Sequence, residues 1–150
     1  MNGTLALVDE GATVAAGAAL APAVKGRAGV IALSGELGAG KTTFVRGLLR
    51  ALGHTGAVRS PTYTLVEPYD LAGQRILHLD LYRLAGNTDL VALGLRDELD
   101  GATLLLVEWP ERAQSALPTP DLALTLEHAP SGRLLHWATQ DAGFSQAFEK

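Results

Sequence analysis

Residues 35–42 read Gly-Glu-Leu-Gly-Ala-Gly-Lys-Thr, a stretch that fits the pattern Gly-x-x-x-x-Gly-Lys-Ser/Thr. Glycines in such a loop let successive backbone N–H groups turn inward around a phosphate, where larger side chains would obstruct the approach. The lysine then adds a positive charge that can reach the outer phosphates of a nucleotide. The stretch therefore predicts a phosphate-binding loop.

The segments on either side of this loop are those that the pattern requires. Residues 30–33 are a continuous apolar run, which is typical of a strand buried on both faces. After the loop, Phe44, Leu48 and Leu52 recur every four residues, and Gly53 is a suitable helix stop. We therefore predict a buried parallel strand, the loop, and a helix that begins at the loop's lysine.

The remaining pattern predicts an α/β fold. Alternation and apolar runs predict strands, helical spacing predicts helices, and Gly73 and residues 130–132 predict turns. The predicted strands lie around residues 5–8 and at 63–69, 75–82, 103–109, 121–127 and 133–139, and the predicted helices at 10–20, ending before Pro22, and at 90–99. We expect one P-loop NTPase-like domain over residues 1–150, with a central, mostly parallel sheet and an antiparallel C-terminal portion.

Composition narrows the class of protein. The chain has 150 residues, 47% of them hydrophobic, and no cysteine, so it has neither disulfides nor thiolate metal ligands. Its net charge of -4 argues against a general basic field for nucleic acid, although Arg46, Arg50 and Arg59 form either a solvated face or a local contact for RNA or a partner. No basic residue precedes Lys25 and no apolar run approaches about 18 residues, so we expect a cytoplasmic protein without a membrane contact.

A nucleotide site of this kind needs oxygen ligands for magnesium. The Thr42 hydroxyl is the expected ligand from the loop, Lys41 would reach the β and γ oxygens, and Thr43 could contact the α-phosphate. Glu108 ends a buried strand, where ligands of parallel sheets gather, although it could also be an ordinary polar strand end. Asp80 lies in an apolar stretch and must have a partner, either Arg83 or a magnesium ion or attacking water that it positions.

Residues 60–64, Ser-Pro-Thr-Tyr-Thr, follow the predicted loop helix. This segment is either a loop that senses the γ-phosphate through hydroxyls such as that of Thr62, or a proline turn that opens a strand. His78 has no second histidine at ligand spacing, so packing or support of another ligand is the simpler interpretation. Trp109 is interpreted as core or rim packing.

Three other functions use a similar loop. A small-molecule kinase would need a second substrate pocket and an arginine-rich lid, which the sequence does not show clearly. A regulatory GTPase is suggested by residues 70–73, which fit Asp-x-x-Gly, but no Asn-Lys-x-Asp segment follows. A nucleotide-dependent assembly module with little intrinsic hydrolysis remains open, because no arginine finger is identifiable near the loop.

The order of four motifs resembles the TsaE (YjeE) family of bacterial ATPases. The motifs are the loop with its following Thr-Phe, Ser-Pro-Thr-Tyr-Thr-Leu-Val-Glu-Pro-Tyr from Ser60, His-Leu-Asp-Leu-Tyr-Arg from His78, and Val-Glu-Trp-Pro-Glu from Val107. The resemblance runs from about Asp9 to Arg133. It implies an ATPase of tRNA threonylcarbamoyladenosine synthesis that docks on the TsaD and TsaB pair, with tRNA as an indirect partner through that complex.

The resemblance also implies roles for individual residues. Thr42 and Glu108 would hold Mg²⁺, Asp80 would be a further acid needed for turnover, and Thr62 falls in the switch-like segment. Nucleotide contacts are implied for Thr13, near the base, and for Gly38, Ala39, Gly40, Lys41, Thr42, Thr43 and Arg133. Glu36 stands where the family often has aspartate, at a loop position without an assigned phosphate contact.

Overall fold

The computed structural model describes residues 1–84 and 102–149, so the helix predicted at residues 90–99 lies outside the described residues. The described strands are β1 (Asn2–Leu7), β2 (Gly29–Ser34), β3 (Val66–Leu71), β4 (Gln74–Asp80), β5 (Leu104–Glu108), β6 (Leu122–His128) and β7 (Arg133–Thr139). The helices are α1 (Glu10–Val24), α2 (Lys41–Ala51) and α3 (Ala142–Phe148), with a 3₁₀ helix at Pro110–Ala116.

Within these residues the strands form one sheet in the order β1-β7-β6-β2-β5-β4-β3. The four central strands, β6, β2, β5 and β4, are parallel, and β7 and β1 add antiparallel pairings on one side. β3 adds an antiparallel pairing with β4 at the opposite edge. The predicted α/β class, the parallel centre and the antiparallel C-terminal portion are confirmed.

The structure differs from the expected boundaries at the end of α1 and at the start of β3, and it adds a helix at the C-terminus. The first helix continues past Pro22 to Val24, because a proline in the last turn removes only one hydrogen bond and the Lys25 N–H still reaches the Ala21 carbonyl, 3.0 Å away. The strand predicted from residue 63 begins at Val66, because residues 62–64 form a turn. The C-terminal tail, which carries no recognised motif, forms α3.

Apolar residues cover both faces of the sheet. Alternate residues of β2 and β5, such as Ile31 and Leu106, pack with α1 and α2, while Val30 and Leu105 belong to a second cluster on the other face. α1 buries a stripe of small and aliphatic residues, at positions 13, 16, 17, 20, 21 and 24. Burial on both faces explains the continuous apolar runs in the sequence.

No helix in the described parts of the chain has the length and apolar character needed to cross a lipid bilayer.

Two glycines allow α1 and α2 to approach each other at the backbone. A Cβ atom on Gly17 would collide with the Phe44 carbonyl oxygen, and one on Gly47 would collide with the Val14 carbonyl oxygen. Arg46 of α2 also pairs with Glu10 of α1 at 2.6 Å, so this arginine has a partner within the chain. The helix that follows the loop is therefore fixed tightly against α1.

We predict that Gly17→Ala and Gly47→Ala each destabilise the fold, because either methyl group forces the two helix backbones apart. The expected loss is about 1–3 kcal/mol in the free energy of unfolding, measured by urea denaturation. Gly11→Ala is the matched control, because this exposed α1 position leaves room for a Cβ. Equal effects at residues 11, 17 and 47 would contradict the close approach.

Candidate functional site

The glycine-rich loop connects the end of β2 to the start of α2. Gly35, Gly38 and Gly40 have φ angles of 143°, 77° and 108°, in the region that side chains disfavour. A Cβ on Gly35 would also collide with the carbonyl oxygen of Leu126 on β6. These glycines are therefore required by the backbone path, which brings the N-terminus of α2 to the carboxyl edge of the sheet.

Lys41 begins α2, and its side chain folds back over the loop. Its Nζ donates to the carbonyl oxygen of Gly35 and to that of Glu36, the latter at 3.0 Å, and lies 4.2 Å from the centre of the Trp109 ring. Burial lowers the pKa of Lys41 below its usual value, while the carboxylates of Glu108, Asp80 and Glu111 oppose that shift. Within residues 1–84 and 102–149, the hydrogen-bond partners of this ammonium are these two neutral loop carbonyls.

Thr42 and Glu108 form the polar centre of the site. The Thr42 hydroxyl lies 2.9 and 3.1 Å from the two carboxylate oxygens of Glu108. The contact follows from the sheet, because Leu33 at the end of β2 is in register with Glu108 at the end of β5. Glu108 is only 3% exposed, so its carboxylate is committed to this site and not to solvent.

Asp80 ends β4 beside Glu108, in the adjacent register position. It accepts from the Ser60 hydroxyl, from Thr62 Oγ1 at 3.2 Å and from the backbone N–H of Tyr82 at 3.0 Å. The alternative of a pair with Arg83 is not what the structure shows, since that guanidinium lies over the Tyr63 ring. Asp80 therefore fixes residues 60–62 against the edge of the sheet.

Two cavities of about 290 Å³ each adjoin the loop. The first holds the loop, the switch-like segment and the acids, and the second lies on the α1 side. Lining the first are Leu37, Gly38, Gly40, Lys41, Thr42, Thr43, Ser60, Thr62, Asp80, Tyr82, Glu108 and Trp109. Lining the second are Asp9, Glu10, Thr13, Gly38, Gly40, Thr43, Gly132 and Arg133. Gly38, Gly40 and Thr43 border both, so the cavities meet at the loop.

The second cavity brings together Thr13 and Arg133, which are far apart in sequence. Arg133 Nη2 donates to the Gly38 carbonyl at 3.1 Å. Thr13 is buried against the loop, because a Cβ on Gly40 would lie 3.4 Å from its methyl carbon. All predicted site residues thus line these cavities except Ala39, which is fully buried beneath the loop.

From the sequence, Tyr82 is not assigned to this site, Trp109 is interpreted as core or rim packing, and His78 is interpreted as packing or support of another ligand. Trp109 packs over Lys41 and lines the first cavity, and Tyr82 lies 5.0 Å from the Trp109 ring. His78 Nε2 lies 2.6 Å from Glu108 Oε2, with both side chains buried. The available signal was position, because each of these residues lies within two residues of Asp80 or Glu108.

The chemistry of this arrangement is that of a site for a charged, oxygen-rich ligand. Lys41 and the loop N–H groups could bind anionic oxygens, and Thr42 with Glu108 offers hard oxygen donors for a divalent cation. Among the described residues, no three His, Asp or Glu side chains group closely enough to hold a metal ion. Mg²⁺ typically takes one or two protein oxygens and completes its shell with water and phosphate, which this donor set fits.

Comparison with known proteins identifies the family. The model of "Threonylcarbamoyl adenosine biosynthesis protein TsaE" matches residues 7–135. A Haemophilus influenzae protein named tRNA threonylcarbamoyladenosine biosynthesis protein TsaE is 44% identical over 111 residues, which cover 74% of this chain and 70% of that protein. Its namesake from Bacillus subtilis is 37% identical over 100 residues, covering 67% of this chain and 62% of that protein.

A solved structure extends the similarity to nearly the whole fold. The crystal structure of Bacillus subtilis YdiB matches with a TM-score of 0.79 at 28% sequence identity, covering 98% of this chain and 91% of that one. The matched motifs, the relatives and the fold agree. The chain belongs to the TsaE family of tRNA threonylcarbamoyladenosine biosynthesis proteins.

Proposed function

We propose that this protein is a magnesium-dependent ATPase of the cytoplasm that acts with TsaD and TsaB in this tRNA modification. The observation that carries the proposal is the Thr42–Glu108 pair, placed beside Lys41 in the cavity at the start of α2. A glycine-rich loop alone would hold phosphate. The loop together with a buried acid at the adjacent strand end has the parts that phosphoryl transfer needs.

The phosphates would lie along residues 38–43. Lys41 is bonded to the neutral carbonyls of Gly35 and Glu36, and burial disfavours its charge. A phosphate oxygen is a stronger partner than a carbonyl, because its own negative charge offsets that burial cost. Binding of ATP is therefore expected to draw the ammonium from the loop carbonyls toward the β and γ oxygens.

The magnesium ion would be held by Thr42 and Glu108. The Thr42 hydroxyl can direct a lone pair to a cation while it donates its hydrogen to the carboxylate, and Glu108 can act directly or through a water molecule. A bound Mg²⁺ would offset the negative charge of the phosphates. Water and the phosphates of the nucleotide would supply the remaining ligands, since Mg²⁺ usually takes only one or two oxygens from the protein.

Asp80 and Thr62 form the side of the cavity opposite the loop. Through its bonds to Ser60, Thr62 and the Tyr82 N–H, the Asp80 carboxylate holds the hydroxyls where a γ-phosphate and its attacking water would lie. We assign Asp80 and Thr62 to positioning that water. In the second cavity, Thr13 and Arg133 would contact the nucleoside, with Gly38 and Gly40 between the two parts of the nucleotide.

Lys41→Ala and Thr42→Ala are each predicted to lower ATP turnover by at least about 100-fold, the loss typical of removing one preorganised transition-state contact. Steady-state phosphate release at saturating Mg²⁺ measures this. Lys25→Ala, which removes an exposed lysine at the end of α1, should keep the wild-type rate. Unchanged turnover in both loop variants would refute the site.

Glu108→Gln keeps the size of the side chain and removes its charge. We predict that the Mg²⁺ concentration for half-maximal turnover rises by at least about 10-fold, as for other metal-site partners, while the fold survives. Turnover measured across a Mg²⁺ titration tests this, with the exposed Glu111→Gln as the matched control. Wild-type Mg²⁺ dependence in Glu108→Gln would move the metal role to Asp80.

The partner assignment predicts that slow intrinsic ATP hydrolysis accelerates when TsaD and TsaB are added together. The physical reason is that, in the described part of the chain, Arg133 bonds the loop carbonyl of Gly38 and no other arginine is identifiable as an arginine finger near the loop, so the partners would complete the site. Turnover of ATP and GTP should be compared with and without both proteins. The Lys41→Ala variant gives the background rate that does not come from this site. Preference for GTP, or a rate that ignores the partners, would argue against the proposal.

A further inference from the structure

His78 lies beneath the site and lines neither of the two cavities at the loop. It is fully buried on β4, two residues before Asp80, so both side chains lie on the same face of the sheet. Across the strand boundary its Nε2 lies 2.6 Å from Oε2 of Glu108. The contact joins the interior of the sheet to the acid that faces the loop.

The Glu108 carboxylate determines which atom donates in this hydrogen bond. An ionised carboxylate only accepts, so the imidazole must carry hydrogen on Nε2 and donate it to Glu108. The other ring nitrogen, Nδ1, is buried and has no hydrogen-bond partner among the described residues. Burying an imidazole with one nitrogen unsatisfied is unfavourable, and an aliphatic side chain would fill this apolar position without that cost. Packing alone therefore does not account for a histidine here.

Among the described residues, two side chains, those of Thr42 and His78, hydrogen-bond to the Glu108 carboxylate, and they differ in how freely they can move. Thr42 is half-buried at the cavity, and its hydroxyl can rotate about the Cβ–Oγ1 bond. His78 has no exposed surface, and its ring is held by the packing of β4. Of the two donors, only His78 can keep the carboxylate in one orientation while the threonine hydroxyl turns toward a ligand.

We propose that His78 is the positioning residue for Glu108, holding the carboxylate plane in the orientation that the magnesium site requires. The inference rests on the magnesium role proposed above for Glu108. His78 does not touch the nucleotide or the ion. Residues that hydrogen-bond to a metal ligand without touching the metal typically contribute about 10- to 100-fold to metal affinity or activity.

The test compares His78→Leu, which removes the donor, with His78→Gln, whose amide can place an N–H near the position of Nε2. His78→Leu should raise the half-saturating Mg²⁺ concentration for turnover by about 10-fold or more, the range for such partners. His78→Gln should restore most of the wild-type Mg²⁺ dependence. Both variants should bind ATP in EDTA as the wild type does, because the loop contacts are unchanged.

Ile76→Val is the structural control, since Ile76 is fully buried on the same strand and the same face but makes no polar contact. It should lower the unfolding temperature and leave the Mg²⁺ dependence unchanged. A purely structural role for His78 would give the same result in His78→Leu, and would overturn the inference. Failure of His78→Gln to improve on His78→Leu would also overturn it.

A measurement without nucleotide or metal tests the geometry itself. In a ¹⁵N-labelled protein, long-range imidazole correlations distinguish which nitrogen carries hydrogen, and loss of one signal set in His78→Gln assigns the residue among the four histidines. Hydrogen on Nε2 supports the inference, and a neutral ring with hydrogen only on Nδ1 refutes it. If Glu108→Gln changes the Mg²⁺ dependence and His78→Leu does not, only this inference fails. If neither variant changes it, the magnesium role of Glu108 fails as well.

Discussion

The parallel alignment of β2, β5 and β4 is the constraint on which the site depends. Parallel strands end at the same edge, so the loop after β2 emerges beside Glu108, and Glu108 emerges beside Asp80. Hydrogen bonding between strands fixes this register over the length of the sheet. Thr42, the second residue of α2, then meets the Glu108 carboxylate. The sheet therefore determines where Glu108 lies. The glycines of the loop allow a backbone conformation that larger side chains would prevent.

Much of the fold could be predicted from the sequence, because its central strands are apolar throughout and its helix α2 carries a clear stripe. The turns at Gly73 and Gly132 were also predictable, since both glycines have positive φ angles between paired strands. The predicted end of α1 was wrong, because a proline disrupts a helix less when it lies in the last turn, as Pro22 does. The sequence pattern predicted a parallel centre but not the order of the strands in the sheet, which depends on contacts between segments far apart in the chain.

The candidate site divides in the same way. The loop and Glu108 could be located from local pattern, and the two acids are indeed neighbours in the sheet, although their chemical roles remain predictions. The sequence did not identify the partner of Asp80. Arg83 is three positions away and was a visible candidate, whereas Ser60, which bonds to Asp80, is twenty positions away. The local signal for His78 was only its position two residues before Asp80, because its bond to Glu108 is a diagonal contact between strands, which a single sequence does not display.

The close approach of α1 and α2 at Gly17 and Gly47 has a mechanical consequence for the cleft. Where backbone touches backbone, no side chain can change rotamer to absorb a displacement, so the loop and α1 form a continuous rigid wall that includes Thr13. The opposite wall differs, since Ser60 and Thr62 are tied to Asp80 by hydroxyl contacts. The wall formed by α1 and the loop is therefore fixed, and adjustment to an occupant falls to residues 60–64 on the other wall.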